Sequence, residues 1–129
     1  MEEWIEKKTL GTLLDEAAGR RGAREALTYE GRRWSFAQLQ AEVDRTARAF
    51  IRLGILPGDR VALWMPNRPE WLYAFFALAK IGAVVVPINT RFRTNELEYV
   101  LWQSDATTLM TVDRSGPVDY LDMVRQVCP

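Results

Sequence analysis

The sequence predicts an α/β fold: a partial helix-sheet-helix layered domain with a mainly parallel sheet and an N-terminal β-hairpin. From Arg60 onward, strand patterns and helix patterns alternate three times, with connections long enough for parallel pairing. Residues 60–65 are almost continuously apolar, which is typical of a strand covered on both faces. Residues 26–34 form two short strand patterns around Glu30 and Gly31, where glycine can adopt the positive φ of a hairpin turn.

The first helix is predicted at the surface over residues 9–19, because Leu10, Leu13 and Leu14 recur at helical spacing. Ser35 and Gln38 form a capping box that begins a second helix, which runs to about residue 53. We expect a glycine to end this helix and the chain after it to fold back onto the last turn.

Gly54 is the glycine expected to end the second helix, and Ile55 after it is expected to pack on Phe50. Three short-range ion pairs are also expected near this helix and are interpreted as structural. They are Glu42 with Arg45, Asp44 with Arg48, and Asp59 with Arg60.

A third helix is predicted to start at Asn67 or Arg68, with Pro69 and Glu70 in its first turn. Apolar residues cover most of its circumference, so neighbouring elements should enclose it before Gly82 ends it. The remaining predicted elements are a strand over 83–87, a helix over 94–104, a strand over 107–112 and a final helix after Gly116 and Pro117.

Composition excludes several classes of function. The chain has 129 residues, with 17 basic and 17 acidic side chains, so no net positive field attracts nucleic acid and no nucleic-acid partner is expected. Histidine is absent, which removes the commonest general base and the usual nitrogen ligand of zinc. Cys128 is the only cysteine, so no intrachain disulfide can form.

The single cysteine and the N-terminal sequence predict a cytoplasmic protein. Residues 1–8 lack the basic start and apolar core of a signal peptide. The apolar stretch from Trp71 to Ile88 is interrupted by Lys80, Gly82 and Pro87, so no transmembrane segment is expected. Trp64 and Trp71 lie in apolar runs and are interpreted as core residues and not as a stacking platform.

No nucleotide-binding signature occurs among the eight glycines, because neither a dinucleotide fingerprint nor a Walker loop is present. One polar loop, residues 89–94, follows the predicted strand over 83–87. It contains Arg91 and Arg93 and has two interpretations: a solvated loop that leads into a helix cap, or an anion contact within a larger assembly.

Six segments follow one another in a characteristic order: the hairpin and then residues 34–39, 53–63, 67–71, 79–89 and 96–106. From about Thr9 onward, this order and spacing resemble the start of the adenylate-forming, or AMP-binding, enzymes. Residues 35–39 look like the first core motif of that superfamily and residues 78–89 like its second. Within that superfamily, the sequence of these segments is most similar to the acyl-CoA synthetases and fatty-acid CoA ligases.

The resemblance implies an ATP-dependent ligase that converts a carboxylate to an acyl-adenylate and then transfers the acyl group to CoA. ATP, Mg²⁺ and CoA are the cofactors implied for the parent enzyme, and a fatty or other acyl acid is the implied substrate. In the superfamily the phosphate loop, the adenine segment, the ribose-binding aspartate and the catalytic lysine lie further downstream. No catalytic, cofactor-binding or metal residue is therefore expected in this chain.

Residues 1–129 are accordingly predicted to be the N-terminal fragment of the large AMP-binding domain, with the downstream part and the C-terminal lid domain absent. Such a fragment should be inactive alone and should expose part of the apolar faces of its sheet. Two alternatives stay open: a stand-alone interaction or regulatory module derived from the same fold, and an unrelated flavodoxin-like module that binds a small ligand. The missing glycine-rich turn counts against the second.

Overall fold

The helices and strands follow the predicted order, with one addition. The computed structural model describes residues 8–129. Residues 1–7, which belong to the segment predicted not to be a signal peptide, lie outside the described residues. The elements are α1 (Leu10–Arg21), β1 (Glu25–Tyr29), β2 (Arg32–Ser35), α2 (Phe36–Arg52), β3 (Arg60–Trp64), α3 (Pro69–Ile81), β4 (Val84–Pro87), α4 (Thr94–Ser104), β5 (Thr108–Thr111), β6 (Arg114–Ser115), β7 (Val118–Asp119) and α5 (Tyr120–Val127). The addition is the β6–β7 hairpin, whose two-residue strands are too short to show an alternating pattern.

Three strands form a parallel sheet in the order β4-β3-β5. Val61 of the central strand lies opposite Val85 on one side and Thr108 on the other. The N-terminal hairpin is a separate antiparallel pair in which Leu27 lies opposite Trp34. Both the parallel sheet and the hairpin confirm the predicted fold class.

Helices cover both faces of the sheet. Val61 and Leu63 pack in one core cluster with α1, α2 and α3, whereas Ala62 and Trp64 pack in a second cluster with α4 and α5. Successive residues of a strand point to opposite faces, so one central strand contributes to both clusters. The molecule therefore has the predicted helix-sheet-helix layers.

Local signals at the two ends of α2 are confirmed. The Ser35 hydroxyl accepts a hydrogen bond from the Gln38 backbone N–H at 3.1 Å, and the Gln38 amide oxygen accepts one from the Ser35 N–H at 2.9 Å. At the other end the Ile55 N–H donates to the Phe50 carbonyl at 3.1 Å, across Gly54 with φ 88°. This arrangement satisfies backbone groups that a helix end leaves unpaired.

Helix α1 lies at the surface, and a close backbone approach brings it against α3. A Cβ added at Gly11 would lie 2.9 Å from the Ala79 carbonyl oxygen, so only glycine fits there without a shift. Leu14 is buried, but Leu10 and Leu13 stay 54% and 44% exposed. Apolar burial alone therefore anchors α1 weakly.

A polar cluster adds to that anchoring. The Lys80 ammonium on α3 donates to the Asp15 carboxylate on α1 at 2.7 Å and to the Asp44 carboxylate on α2. The Gln40 amide donates to the same Asp15 oxygen at 2.7 Å. These contacts join three helices, so the prediction that Asp44 pairs with Arg48 is wrong: Lys80 is closer in space although it is distant in sequence.

The other two expected ion pairs have different outcomes. Glu42 and Arg45 pair at 3.2 Å as predicted. Asp59 and Arg60 do not pair with each other, because the Asp59 carboxylate accepts from the Leu56 N–H at 2.8 Å. Arg60 binds Asp105 at 3.2 Å, which ties the start of β3 to the loop after α4.

The prediction that α3 is enclosed holds for only part of its circumference. Ala74, Ala77 and Leu78 are buried under α1, α2 and the sheet, while Trp71 and Phe75 are half-buried. Within residues 8–129, no neighbouring element buries Trp71 and Phe75 fully. No helix of the described part of the chain is long and apolar enough to cross a membrane.

Several exposed apolar side chains lie at the edge of the sheet where the strands begin. Leu53 and Leu56, before β3, are 74% and 63% exposed, and Trp102, before β5, is 77% exposed. The central strand itself is covered on both faces, with Val61 to Trp64 at 0% exposure. Part of the exposed apolar surface therefore lies at this edge, and the faces of the central strand contribute none of it.

Candidate functional site

The carboxyl ends of β3, β4 and β5 meet at one edge of the parallel sheet. The segments that follow these strands are residues 65–68, 88–93 and 112–113. Open α/β sheets bind ligands at this edge, because loops from neighbouring strands converge there. We therefore take this edge, with its polar loop over residues 89–94, as the candidate functional site.

The polar loop is fixed to the central strand. The Ile88 N–H donates to the Leu63 carbonyl at 2.9 Å, and the Trp64 indole N–H donates to the Asn89 carbonyl at 3.2 Å. Sequence reasoning placed Trp64 in the core but missed this bond. A fully buried tryptophan is the signal that could have shown it, because a buried indole N–H usually finds an acceptor.

Three consecutive backbone N–H groups of the loop, those of residues 91–93, already have acceptors. The Arg91 N–H donates to the Asn89 side-chain oxygen at 2.9 Å and the Phe92 N–H donates to the Asn89 carbonyl at 3.0 Å. The Arg93 N–H donates to the Glu96 carboxylate at 2.9 Å. A phosphate cradle needs free backbone N–H groups, and these three are not free.

Glu96 acts as a cap at the start of α4. Backbone N–H groups of Arg93 and of Glu96 itself bond to its carboxylate and hold the pKa of Glu96 below its usual range, and the Arg93 charge adds to this effect. The Arg93 guanidinium donates to the carbonyls of Thr90 and Phe92 at 3.0 and 2.8 Å. The helix-cap interpretation of the loop therefore holds for Arg93.

Arg91 differs from its neighbour. The side chain is exposed, and among residues 8–129 no group bonds to its guanidinium. A guanidinium without a partner among the described residues can bind a further carboxylate or phosphate in a bidentate manner. The anion-contact interpretation of the loop therefore rests on Arg91.

The residues of this edge do not fit a nucleotide triphosphate. No glycine occurs in the segments after β3 and β4, and the loop N–H groups described above are occupied. Within residues 8–129, no group of three or more acidic, cysteine or histidine side chains could hold a metal ion. No catalytic step can be derived through ATP or Mg²⁺ on these side chains alone.

The residues of the two recognised core motifs have structural roles. Ser35 caps α2, Gly82 ends α3 and Pro87 is the last residue of β4. The Gly82 N–H and the Ala83 N–H donate to the carbonyls of Ala79 and Leu78, which closes the end of α3. The contacts of these three residues are thus those of helix ends and of a strand end.

Comparisons with known proteins agree with this architecture. The family model described as AMP-binding enzyme matches residues 14–128. YngI of Bacillus subtilis (strain 168), whose name assigns it provisionally to the acyl-CoA synthetases, is 42% identical over 123 residues, which are 94% of this chain and 22% of YngI. The crotonobetaine/carnitine–CoA ligase of Salmonella typhi is 36% identical over 139 aligned residues, covering 95% of this chain and 27% of that ligase.

Solved structures show the same relationship. The inhibitor-bound N-terminal domain of FACL13 from Mycobacterium tuberculosis superposes with a TM-score of 0.84 and 35% identity, covering 95% of this chain and 31% of that one. The anthranilate CoA ligase AuaEII, in complex with anthranoyl-AMP, gives a TM-score of 0.83 and 27% identity over 93% of this chain and 22% of its own. The chain thus spans about a quarter of the length of the curated relatives that it matches. It belongs to the family of AMP-binding enzymes.

Proposed function

We propose that this chain is the N-terminal part of an ATP-dependent acid–CoA ligase. The observation that supports the proposal best is the match over residues 14–128 to the AMP-binding family, together with the 42% identity to YngI and the 36% identity to the crotonobetaine/carnitine–CoA ligase. The parallel sheet and its helices supply one portion of the large domain. Downstream sequence supplies the phosphate loop and the catalytic lysine.

The reaction of the complete ligase has two steps. A carboxylate oxygen attacks the α-phosphorus of ATP, forming the acyl-adenylate while the bond to the β-phosphate breaks and pyrophosphate leaves. The CoA sulfur then attacks the acyl carbon and AMP leaves. The substrate is a fatty or other acyl acid, and the reaction uses Mg²⁺ to balance the charge of the polyphosphate.

Within that ligase, Arg91 provides an anion contact at the carboxyl edge of the sheet. Its guanidinium is exposed, and the loop that carries it is fixed to β3 through Ile88 and the indole of Trp64. A fixed loop keeps the position of the charge constant, which lowers the entropy lost when an anionic substrate group binds. The role is one of binding and not of bond making.

Pyrophosphate release tests the proposal. The 129-residue chain, supplied with ATP, Mg²⁺, CoA and a panel of fatty and aromatic acids, is expected to release no pyrophosphate above a protein-free blank. The polypeptide extended with its downstream sequence is expected to release it in a carboxylate-dependent manner. In the extended protein, Arg91→Gln is expected to raise KM for an anionic substrate by about tenfold, a loss typical of a charge-assisted hydrogen bond.

The matched control for the substitution is Arg33→Gln, because Arg33 lies on the hairpin and pairs with Glu25 at the surface. Carboxylate-dependent release by the 129-residue chain alone would show that the downstream residues are not needed. Absence of release from the extended polypeptide with every acid in the panel would contradict the ligase proposal.

A further inference from the structure

An apolar cleft of about 330 Å³ lies between the N-terminal hairpin and the start of α3. Leu27 and Tyr29 of β1 line one side, and Trp71 and Leu72 of α3 line the other. Asn67 and Arg68, which precede α3, and Pro69, its first residue, complete the lining. A cleft of this size is at the small end of the range that holds small molecules.

The aromatic wall of the cleft is held in position. The Trp71 ring stacks on Phe75 with centroids 5.3 Å apart and 12° between the ring planes. Phe75 does not line the cleft, whereas Trp71 does. Phe75 and the cleft therefore contact different parts of the Trp71 side chain. An indole fixed in this way offers a flat apolar surface against which another ring can stack.

The positive group of the cleft is also oriented. The Arg68 Nε donates to the Glu70 carboxylate at 3.0 Å, and no other group among residues 8–129 bonds to this guanidinium. Its two terminal nitrogens are therefore available. These nitrogens match the two oxygens of a carboxylate, and the fork geometry allows both to bond at once.

The charge of Glu70 restricts the ligand. Its carboxylate lies beside Arg68, so a dianion such as a phosphate monoester would be repelled more strongly than a singly charged carboxylate. The cleft walls are mainly apolar, which disfavours a purely polar ligand. One negative charge and one flat apolar ring are the features that complement the lining.

We propose that this cleft binds a small planar aromatic acid, with the ring against Trp71 and the carboxylate on the terminal nitrogens of Arg68. The ring lies between Leu27 on the hairpin and Leu72 on α3. The inference does not rest on the proposed ligase activity, because residues 27–72 supply every group that it uses.

A titration of the isotope-labelled 129-residue protein with 2-naphthoate, followed by ¹H–¹⁵N NMR, tests the proposal. Saturable shifts of the Trp71 indole N–H and of the Leu27 and Leu72 amides are expected, with a Kd of about 1 mM for a ligand of this size. The neutral analogue 2-naphthalenemethanol is expected to bind about tenfold more weakly, because it cannot form the charge-assisted pair.

Two variants and one control separate the contributions. Arg68→Gln and Trp71→Leu are each expected to weaken 2-naphthoate binding by about tenfold. Arg33→Gln, on the same hairpin but outside the cleft, is expected to leave it unchanged. Arg68 is exposed, so its variant should fold even where Trp71→Leu does not. Absence of saturable shifts, equal binding of the neutral analogue, or unaltered binding by Arg68→Gln would overturn the proposal.

Discussion

Trp64→Ala is expected to lower the free energy of unfolding by about 3–5 kcal/mol. The Trp64 side chain is 0% exposed and packs edge to face on Tyr120 with ring centroids 4.6 Å apart. Its removal leaves a cavity between the sheet and α5 and takes the hydrogen-bond donor from the Asn89 carbonyl. The same change should loosen the polar loop that follows β4.

The control for this variant is Trp102→Ala. Trp102 is the same residue type but is 77% exposed, so its removal should change stability by no more than about 0.5 kcal/mol. Urea unfolding followed by far-ultraviolet circular dichroism measures both variants against the original chain. Equal effects of the two substitutions would show that the packing of the second core cluster does not determine stability.

Lys80→Met is expected to lower the free energy of unfolding by about 1–2 kcal/mol near neutral pH. The substitution keeps most of the aliphatic volume but leaves the Asp15 and Asp44 carboxylates without their shared cation. The expected loss is below that of a fully buried pair, because both carboxylates are about 40% exposed. Attachment of α1 to α2 and α3 should suffer most.

This effect should depend on pH in a defined direction. Burial alone would raise the pKa of Asp15, but hydrogen bonds from Lys80 and Gln40 outweigh it and hold that pKa below 3.8. The stability from Asp15 is therefore present above its unfolded pKa and is lost as pH falls through the lowered folded value. The stability that Lys80 contributes is lost at high pH instead.

Burial would lower the pKa of Lys80, but hydrogen bonds to Asp15 and Asp44 outweigh it and raise that pKa above 10.5. The stability from Lys80 is complete below its unfolded pKa and is lost as pH rises through the raised folded value. The difference between the original chain and Lys80→Met should thus be largest between about pH 5 and pH 9 and should shrink toward both extremes.

Urea unfolding at a series of pH values measures this difference. The control is Arg48→Met, because Arg48 was the partner that helical spacing predicted for Asp44 and no described residue bonds to its guanidinium. Arg48→Met should lower the free energy of unfolding only slightly at any pH. A larger loss from Arg48→Met than from Lys80→Met would contradict the assignment of the cluster.

Local patterns predicted most of the fold because their causes are local. Ser35 and Gln38 are three residues apart, and Gly54 acts on the helix turn that precedes it, so sequence spacing alone contains both caps. The continuous apolar run at Val61 to Trp64 reflects helices on both faces of β3. Such signals do not depend on knowing which distant segments meet.

The partner of Asp44 could not be predicted, because Lys80 lies 36 positions away and only the packing of α2 on α3 brings the two together. The candidate site shows the same limit. The sequence presents Arg91 and Arg93 as equivalent, but the turn after Asn89 directs the Arg93 guanidinium to backbone carbonyls and leaves the Arg91 guanidinium without a partner among residues 8–129. Likewise, Leu27 and Trp71 line one cleft only because the hairpin lies against the start of α3.

The central proposal is that this chain is the N-terminal part of a longer acid–CoA ligase. Sequencing the coding DNA past the Pro129 codon tests it most directly. The proposal predicts an open frame of about 1,300 further bases that encodes a Ser/Thr-Gly-rich phosphate loop and, later, a lysine segment. A stop codon directly after Pro129 would contradict the proposal and favour a stand-alone interaction or regulatory module of the same fold.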